Sequence, residues 1–186
     1  LTTISRQTER LNKLVEELGV LTLNAQPRIE SDGEAEIVFL DQLLIEVMSE
    51  FQLLIEREER DIYIQVSPES AKIKSHYDKL SRILVNLINN AFKYSDPGTK
   101  IEIVAQLTEQ ILTISVKDEG RGISPENLDK IFKRLYRVET SRNMKTGGHG
   151  LGLAIARELA HQLGGEITVE SQYGLGSTFT FTLNLT

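Results

Sequence analysis

Residues 146–160, TGGHGLGLAIARELA, place four glycines within six positions and then continue into a sequence that favours a helix. Each glycine costs about 0.5–1 kcal/mol of chain entropy relative to alanine, so the cluster predicts either a tight turn or a backbone that approaches a ligand closely. A helix beginning near Leu151 would present unpaired N–H groups and the positive end of its dipole, which suit an anion such as phosphate. A flexible hinge before a helix is the alternative, and these residues alone leave both open.

The composition excludes several classes of protein. The 186 residues, 40% of them hydrophobic, are enough for one domain with a sizeable core and an appendage. The sequence contains 21 Lys and Arg residues and 27 Asp and Glu residues, which give a net charge of -6, and it has no dense basic patch. We therefore expect no nucleic-acid binding. The lack of cysteine excludes disulfides and thiolate chemistry. No apolar run approaches the roughly 20 residues of a membrane span, and the start at Leu1 leads us to expect a fragment of a longer protein.

The first 27 residues carry a seven-residue repeat. Ile4, Leu11 and Leu18 lie on one seam, which predicts an amphipathic helix of about 26 residues, about 40 Å long. Pro27 ends the helix, and residues 28–35 are typical of a polar linker. Such a helix outside a compact domain favours pairing with another helix; folding back on its own domain is the alternative.

Residues 36–186 alternate strand and helix patterns. Strands are predicted at EIVFL, DIYIQV, AKIK, KIEIVAQL, QILTISVKD, GEITVESQ and STFTFTLNL. Helices are predicted from Asp41, as the cap, to about Arg57, from Asp78 to about Tyr94, at Pro125, and from the glycine cluster to about Leu163. Helices interleaved with antiparallel strand pairs predict an α+β fold, in which a mixed sheet carries helices on one face.

Two groups of polar residues are candidates for a binding site. Asn86, Asn90 and Lys93 follow each other at spacings of four and three, so they converge on one edge of the helix predicted from Asp78 to about Tyr94, where amide oxygens suit Mg²⁺ and the Lys suits a phosphate. On the opposite side of this helix we predict a buried apolar stripe of Leu80, Ile83, Leu84, Leu87, Ile88 and Ala91. Asp118 ends a strand beside Gly120 and Gly122, where a carboxylate can accept from an exocyclic amino group. A solvated helix surface and an ordinary turn, respectively, are the simpler alternatives.

Together with the glycine cluster, these segments resemble a known family. NLINNAFKYS, DEGRGI, IFKRLYRVE, GGHGLGLAIA and YGLGSTF resemble the five nucleotide-binding boxes of sensor histidine kinases, in the same order and at compatible spacing. The resemblance covers about residues 36–186 and implies the Bergerat-type α/β sandwich of the superfamily that contains gyrase B subunits, mismatch-repair ATPases and histidine kinases. RQTERLNKLVEEL more weakly resembles the second helix of the family's dimerisation and phosphotransfer hairpin.

The resemblance implies roles for individual residues with ATP and Mg²⁺ as cofactors. Asn90 would ligate Mg²⁺, with Asn86 beside it; Lys93 would contact the phosphates and Arg137 would reach the γ-phosphate from a mobile lid. Asp118 would accept from the adenine amino group, with Tyr94, Gly120 and Gly122 around the base. Around the triphosphate the resemblance implies a set of loop residues: Gly148, His149, Gly150, Leu151 and Gly152. Two positions depart from the family pattern, since Leu135 replaces a frequent Phe and His149 a frequent small residue.

The family's chemistry also needs a histidine nucleophile. None of His76, His149 and His161 lies in a matching motif, so the resemblance implies a phosphoacceptor histidine outside this chain, a response-regulator aspartate as the next acceptor, a homodimer formed through the N-terminal helix, and a cytoplasmic location in a bacterium. Two alternatives remain: an ATPase of the same superfamily, disfavoured because Asn86 cannot act as a general base, and a non-catalytic nucleotide-binding module. Dinucleotide, P-loop and Ser/Thr kinase motifs are absent from the sequence.

Overall fold

The computed structural model describes residues 34–138 and 150–185. The chain divides into two compact units, and all elements below belong to the second, Ala35–Thr186. The predicted helix over residues 1–27 and most of the predicted linker lie outside the described residues, as do Gly148 and His149. None of the described helices combines the length and hydrophobicity needed to cross a bilayer.

Seven strands and five helices alternate along the described residues. In chain order they are β1 Glu36–Phe39, α1 Leu40–Ser49, α2 Gln52–Glu58, β2 Asp61–Ser67, β3 Lys72–Ser75, α3 Tyr77–Tyr94, β4 Lys100–Leu107, β5 Ile111–Asp118, α4 Pro125–Leu128, α5 Gly152–Gln162, β6 Gly165–Gln172 and β7 Gly176–Asn184. The main sheet has the order β2-β4-β5-β7-β6, and β1 pairs with β3 in a separate two-stranded sheet. Only β2 and β4 run parallel within the main sheet.

The main sheet has one buried and one largely solvated face. In β5, Leu112, Ile114 and Val116 are buried, whereas the residues between them are exposed or half-buried. This period of two is expected for a strand with a single packed face. The buried face meets α3 and α5, so the predicted α+β fold with a mixed sheet and helices on one face is confirmed.

The long helix α3 supplies the largest part of the core that the site depends on. The predicted apolar stripe is at most 2% exposed at every position: Leu80, Ile83, Leu84, Leu87, Ile88 and Ala91. Burying one such Leu or Ile side chain stabilises a fold by about 1.5–3 kcal/mol. The stripe therefore fixes the rotation of α3 about its axis, and with it the direction of the opposite, polar edge.

The first helical segment differs from the prediction. Helix α1 begins at Leu40 with Phe39 as its N-cap, and Asp41 lies inside the first turn, where its Oδ1 accepts the adjacent Gln42 N–H at 2.9 Å. The predicted cap at Asp41 is therefore wrong. The segment is also interrupted between Ser49 and Gln52, because Phe51 turns into the core and stacks on the ring of Phe92 at 5.2 Å.

Candidate functional site

The side chain of Asn86 on α3 is held from two sides. Its Nδ2 donates to the carbonyl of Arg82, one turn earlier, at 2.8 Å. Its Oδ1 lies so near Gly152 that a Cβ built on this glycine would come within 2.8 Å of it. Asn86 thus lies between α3 and the first residue of α5, and the absence of a side chain at Gly152 permits the close approach of the two helices.

Asn90, one turn further along α3, has a different environment. Its Nδ2 is buried and has no hydrogen-bond partner among the described residues. A buried amide without a partner carries a desolvation cost of about 1–3 kcal/mol. Asn89 beside it is exposed, so the unsatisfied group lies on the polar edge that the sequence predicted and not on the neighbouring surface position.

The last turn of α3 and the loop after β5 bring together one aromatic ring and two cations. Lys93 Nζ lies 5.0 Å from the centre of the Tyr94 ring, and the guanidinium carbon of Arg121 lies 4.6 Å from it. Arg121 also donates its backbone N–H to the carbonyl of Tyr94 at 3.2 Å. These contacts orient the Tyr94 ring and place positive charge at the end of α3, where the helix dipole also favours cations.

Asp118 is a buried carboxylate at the end of β5, only 4% exposed. Burial raises the pKa of Asp118 to about 6, although backbone N–H groups of Gly120 and Ser177 act in the opposite direction. The Gly120 N–H reaches Asp118 Oδ1 at 2.8 Å. A carboxylate in this state is a strong acceptor for a neutral donor, which is the chemistry that an exocyclic amino group provides.

At its two glycines, the loop after Asp118 is packed too tightly to accept a side chain. A Cβ on Gly120 would collide with the carbonyl oxygen of Tyr94 and lie 2.6 Å from Asp118 Oδ1. Gly122 has φ +66, and a Cβ there would collide with the backbone of Gln172. Both glycines therefore allow a close approach of backbone segments, and for Gly122 a left-handed conformation as well.

The hairpin between β6 and β7 supports this loop from its other side. Gly174 N–H donates to the carbonyl of Arg121 at 2.7 Å, and Ile123 N–H donates to Ser171 Oγ at 2.8 Å. The loop is thus bonded to α3 on one side and to the hairpin on the other. The YGLGST segment, the least specific of the glycine motifs in the sequence, contributes as this support.

Residues 135–138 and Gly150, which flank the undescribed residues 139–149, are in contact. Leu135 N–H donates to the Gly150 carbonyl at 3.0 Å, and a Cβ on Gly150, which has φ +73, would lie 2.7 Å from the Tyr136 carbonyl oxygen. Leu135 itself is 67% exposed with φ 61, so the Leu at this position has little contact with the core. Arg137 is half-buried two residues further on.

At the start of α5, Leu151 is 2% exposed and belongs to the core. Any contact between Leu151 and a bound ligand would therefore come from its backbone. Gly152 is the first residue of α5, whose leading N–H groups have no acceptors within the helix. The roles predicted for Gly148 and His149 fall outside the described residues.

Apart from Asn90 and Arg137, the predicted site residues that the structure describes form two groups joined by α3. One group contains Asp118, Gly120, Gly122, Tyr94 and Lys93; the other contains Asn86, Gly150, Leu151 and Gly152. From residue 86 to residue 94 the helix rises about 12 Å, with Asn90 midway. The sequence did not single out Arg121, Ser171 and Ser177, because their contacts join segments that are distant in the chain.

The residues present fit a Mg²⁺–nucleotide. The buried Asn90 amide would gain a partner, either as donor to a phosphate oxygen or, with the amide reversed, as an oxygen ligand of Mg²⁺. Asp118 offers a buried acceptor, and Gly152 leaves the start of α5 without a side chain. The two ends of the site therefore differ in chemistry, one suited to an amino-bearing ring and the other to anions.

Comparisons with known proteins agree with this geometry. Residues 75–186 match the family described as histidine kinase-, DNA gyrase B-, and HSP90-like ATPase. Histidine protein kinase SaeS of Staphylococcus epidermidis is 39% identical over 181 residues, which are 96% of this chain and 50% of SaeS. The chain thus spans about half the length of the curated relatives that it matches.

Solved structures show the same fold. Full-length ShkA in complex with AMPPNP aligns with a TM-score of 0.83 and 26% identity, covering 100% of this chain and 38% of ShkA. Histidine kinase ThkA in complex with response regulator protein TrrA aligns with a TM-score of 0.76 and 23% identity, covering 96% of this chain and 49% of that one. At the latter identity the likeness concerns the fold alone.

Proposed function

Because the chain belongs to the histidine kinase-, DNA gyrase B- and HSP90-like ATPase family as a histidine kinase catalytic domain, we propose how its residues serve that activity. The domain binds ATP and presents the γ-phosphoryl group to a histidine outside this chain. That histidine then passes the phosphoryl group to an aspartate of a response regulator.

The proposal rests on the polar edge of α3. Asn90 has a buried amide nitrogen without a hydrogen-bond partner among the described residues, whereas Asn86 is tied to Arg82 and packed on Gly152. The first arrangement suits a phosphate–metal group. The second leaves no carboxylate base one turn before Asn90, so activation of water for hydrolysis is disfavoured at this position.

The base of the nucleotide is assigned to the group around Asp118. The Asp118 carboxylate would accept from the adenine amino group, while Gly120 and Gly122 let the surrounding backbone segments approach each other closely. The Tyr94 ring would line the same end of the cleft, in the orientation that Arg121 supports. A purine without the amino group would leave the buried carboxylate unpaired, which predicts selectivity for adenine.

The phosphates are assigned to the polar edge of α3 from Lys93 back to Asn86. Lys93, which borders the proposed adenine end, and Arg137 would contact phosphate oxygens, and the start of α5 at Gly152 would face them with free N–H groups. Mg²⁺, held by Asn90 and phosphate oxygens, would neutralise charge on the phosphoryl group. Phosphoryl transfer depends mainly on such positioning and charge neutralisation, so no covalent catalyst from this domain is needed.

Partners follow from the relatives. Since ThkA is seen in complex with a response regulator, we assign a response-regulator receiver domain as the partner of the longer protein to which this chain would belong. AMPPNP bound to ShkA supports ATP as the nucleotide. We also assign residues 1–27 to a homodimer interface, and we place the domain in the cytoplasm of a bacterium, where ATP and response regulators are found.

Labelling with γ-labelled ATP tests the proposal. The longer protein should acquire a Mg²⁺-dependent label that is stable in alkali and lost in acid, as a phosphohistidine is. Asn90→Ala should abolish the label, while Asn89→Ala, which changes an exposed neighbour of the same type, should leave it unchanged. Release of inorganic phosphate without protein labelling would overturn the proposal in favour of an ATPase.

A further inference from the structure

Arg60 is a buried cation that none of the assignments above uses. It lies between α2 and β2, before residues 75–186 that match the family, and the preceding Glu59 adopts a left-handed conformation with φ 50. Arg60 is 6% exposed, and its side chain is 1% exposed. A buried guanidinium is costly unless its donors are paired, so its partners indicate what it does.

The partners of Arg60 are almost all at the C-terminal end of α3. One exception is Glu58, whose Oε2 accepts from Arg60 Nε at 3.0 Å and from Nη2 at 2.8 Å. The remaining acceptors are the carbonyls of Phe92 at 3.0 Å, Ser95 at 2.9 Å and Asp96, and the hydroxyls of Ser95 at 2.7 Å and Thr99 at 2.8 Å. The guanidinium also lies 5.4 Å from the centre of the Phe92 ring.

This arrangement closes the end of α3. The last carbonyls of a helix have no partners within the helix, and a cation there also complements the helix dipole. Burial alone would raise the pKa of Glu58, but hydrogen bonds from Arg60 and Arg57 outweigh it and hold that pKa below its ordinary value. The carboxylate is therefore charged at neutral pH and neutralises the buried guanidinium. A planar group with five donors suits this set of acceptors, and a lysine cannot reproduce it.

The residues that Arg60 holds lie on both sides of two site residues. Phe92 and Ser95 lie on either side of Lys93 and Tyr94 in the chain. The Tyr94 carbonyl accepts from Arg121 N–H at 3.2 Å, and it is also the group against which Gly120 packs. A displacement of the end of α3 would therefore be passed directly to the loop that carries Gly120 and borders Asp118.

We propose that Arg60 is a positioning residue for the nucleotide site. It fixes the end of α3, and through Tyr94 it fixes the Gly120–Arg121 backbone that encloses the adenine. The part concerning adenine rests on the function proposed above; the part concerning the loop does not. Arg60 is buried against the end of α3, and it acts only through the residues that it bonds there.

Arg60→Met tests the proposal, because it keeps much of the side-chain volume and removes every donor. ATP affinity, measured by calorimetry on the whole chain, should fall about tenfold. In the nucleotide-free protein the amide resonances of Gly120 and Arg121 should shift. Val38→Ala, which truncates a residue 2% exposed in β1, is the matched control: it should lower the unfolding midpoint without changing either the ATP affinity or these resonances.

Arg60→Lys provides a second variant should Arg60→Met fail to fold. It keeps the charge but cannot bridge the same acceptors, so the same resonances should shift and the loss of affinity should be smaller than for Arg60→Met. A folded Arg60 variant with unchanged Gly120 and Arg121 resonances and unchanged ATP affinity would overturn the proposal. If the unaltered chain binds no nucleotide, the proposed function fails, and the resonances still decide whether Arg60 positions the loop.

Discussion

The two ends of the candidate site are built in different ways. Around Asp118, glycines pack against backbone: Gly120 against the Tyr94 carbonyl and Gly122 against Gln172, with main-chain hydrogen bonds on both sides. At the start of α5, Gly150 also packs against backbone, the Tyr136 carbonyl, but Gly152 packs against a side-chain atom, Asn86 Oδ1. Midway between the two ends, Asn90 keeps a buried amide nitrogen without a hydrogen-bond partner among the described residues.

This difference indicates which parts of the site are fixed before a ligand binds. Backbone contacts cannot be relieved by a change of rotamer, so the proposed adenine end has one available shape. The proposed phosphate end depends in part on side chains, Asn86 against Gly152 and Asn90 on α3, and side chains can adjust or be replaced. A buried amide without a partner is also the kind of group that gains most from a ligand. We therefore expect the proposed adenine end to determine which base is selected and the proposed phosphate end to respond to binding.

The largest effect is expected from a side chain forced into the rigid end. Gly120→Ala should lower the free energy of unfolding by about 3 kcal/mol, because neither the Tyr94 carbonyl nor Asp118 can move away. Gly174→Ala is the control: it lies in the adjoining hairpin with φ +86 and open space around it, and should cost about 1 kcal/mol. Urea denaturation measures the free energy of unfolding of both variants when their m-values are equal. Equal denaturation midpoints for Gly120→Ala and Gly174→Ala would contradict the rigid packing around Gly120.

The next effect concerns the charge of Asp118. Its pKa of about 6 in the folded protein lies above the ordinary 3.8, so the unfolded chain releases its proton first as the pH rises. The contribution of Asp118 to unfolding free energy should therefore fall by about 3 kcal/mol between about pH 4 and pH 6 and stay constant above. The difference in unfolding free energy between the unaltered chain and Asp118→Asn, measured from pH 4 to pH 7, isolates this contribution. A difference that is the same at all pH values would show that Asp118 titrates normally.

The smallest change in unfolding free energy is expected for Gly152→Ala, and its sign should depend on whether Asn86 is present. Gly152→Ala alone should destabilise the chain by about 1 kcal/mol, because the new methyl group meets Asn86 Oδ1, which the bond to Arg82 holds in place. In an Asn86→Ala background the contact is gone, so the same change should stabilise α5 through the higher helix propensity of alanine. A double-mutant cycle of unfolding free energies measures the coupling, and additive effects would contradict it.

Much of the fold followed from local patterns in the sequence. The period of the apolar residues in α3 predicted the buried stripe from Leu80 to Ala91, and thereby the polar edge of that helix. Two strands separated by a tight turn near residues 108–110 were likewise predictable as β4 and β5. The helix break near Phe51 was not, because it depends on stacking against Phe92, which is 41 residues away in the chain.

The candidate site was predictable as a set of residues but not as a set of contacts. The spacing of Asn86 and Asn90 placed both on one edge of a helix, but the sequence assigned them related roles. Their environments differ, because Asn86 is engaged by Arg82 and Gly152 whereas Asn90 Nδ2 has no hydrogen-bond partner among the described residues. That distinction arises from packing between α3 and α5, which a single sequence does not display.

Calorimetric titration of the chain with ATP, with Mg²⁺ or with EDTA, measures whether the nucleotide binds at the assigned residues. We expect binding that weakens when Mg²⁺ is removed or in Asn90→Ala, that collapses in Asp118→Ala, and that is unchanged in Asn89→Ala. Thermal unfolding would verify that each variant is folded. Tight ATP binding that is insensitive to Asp118→Ala and to Mg²⁺ would place the nucleotide elsewhere and contradict the account.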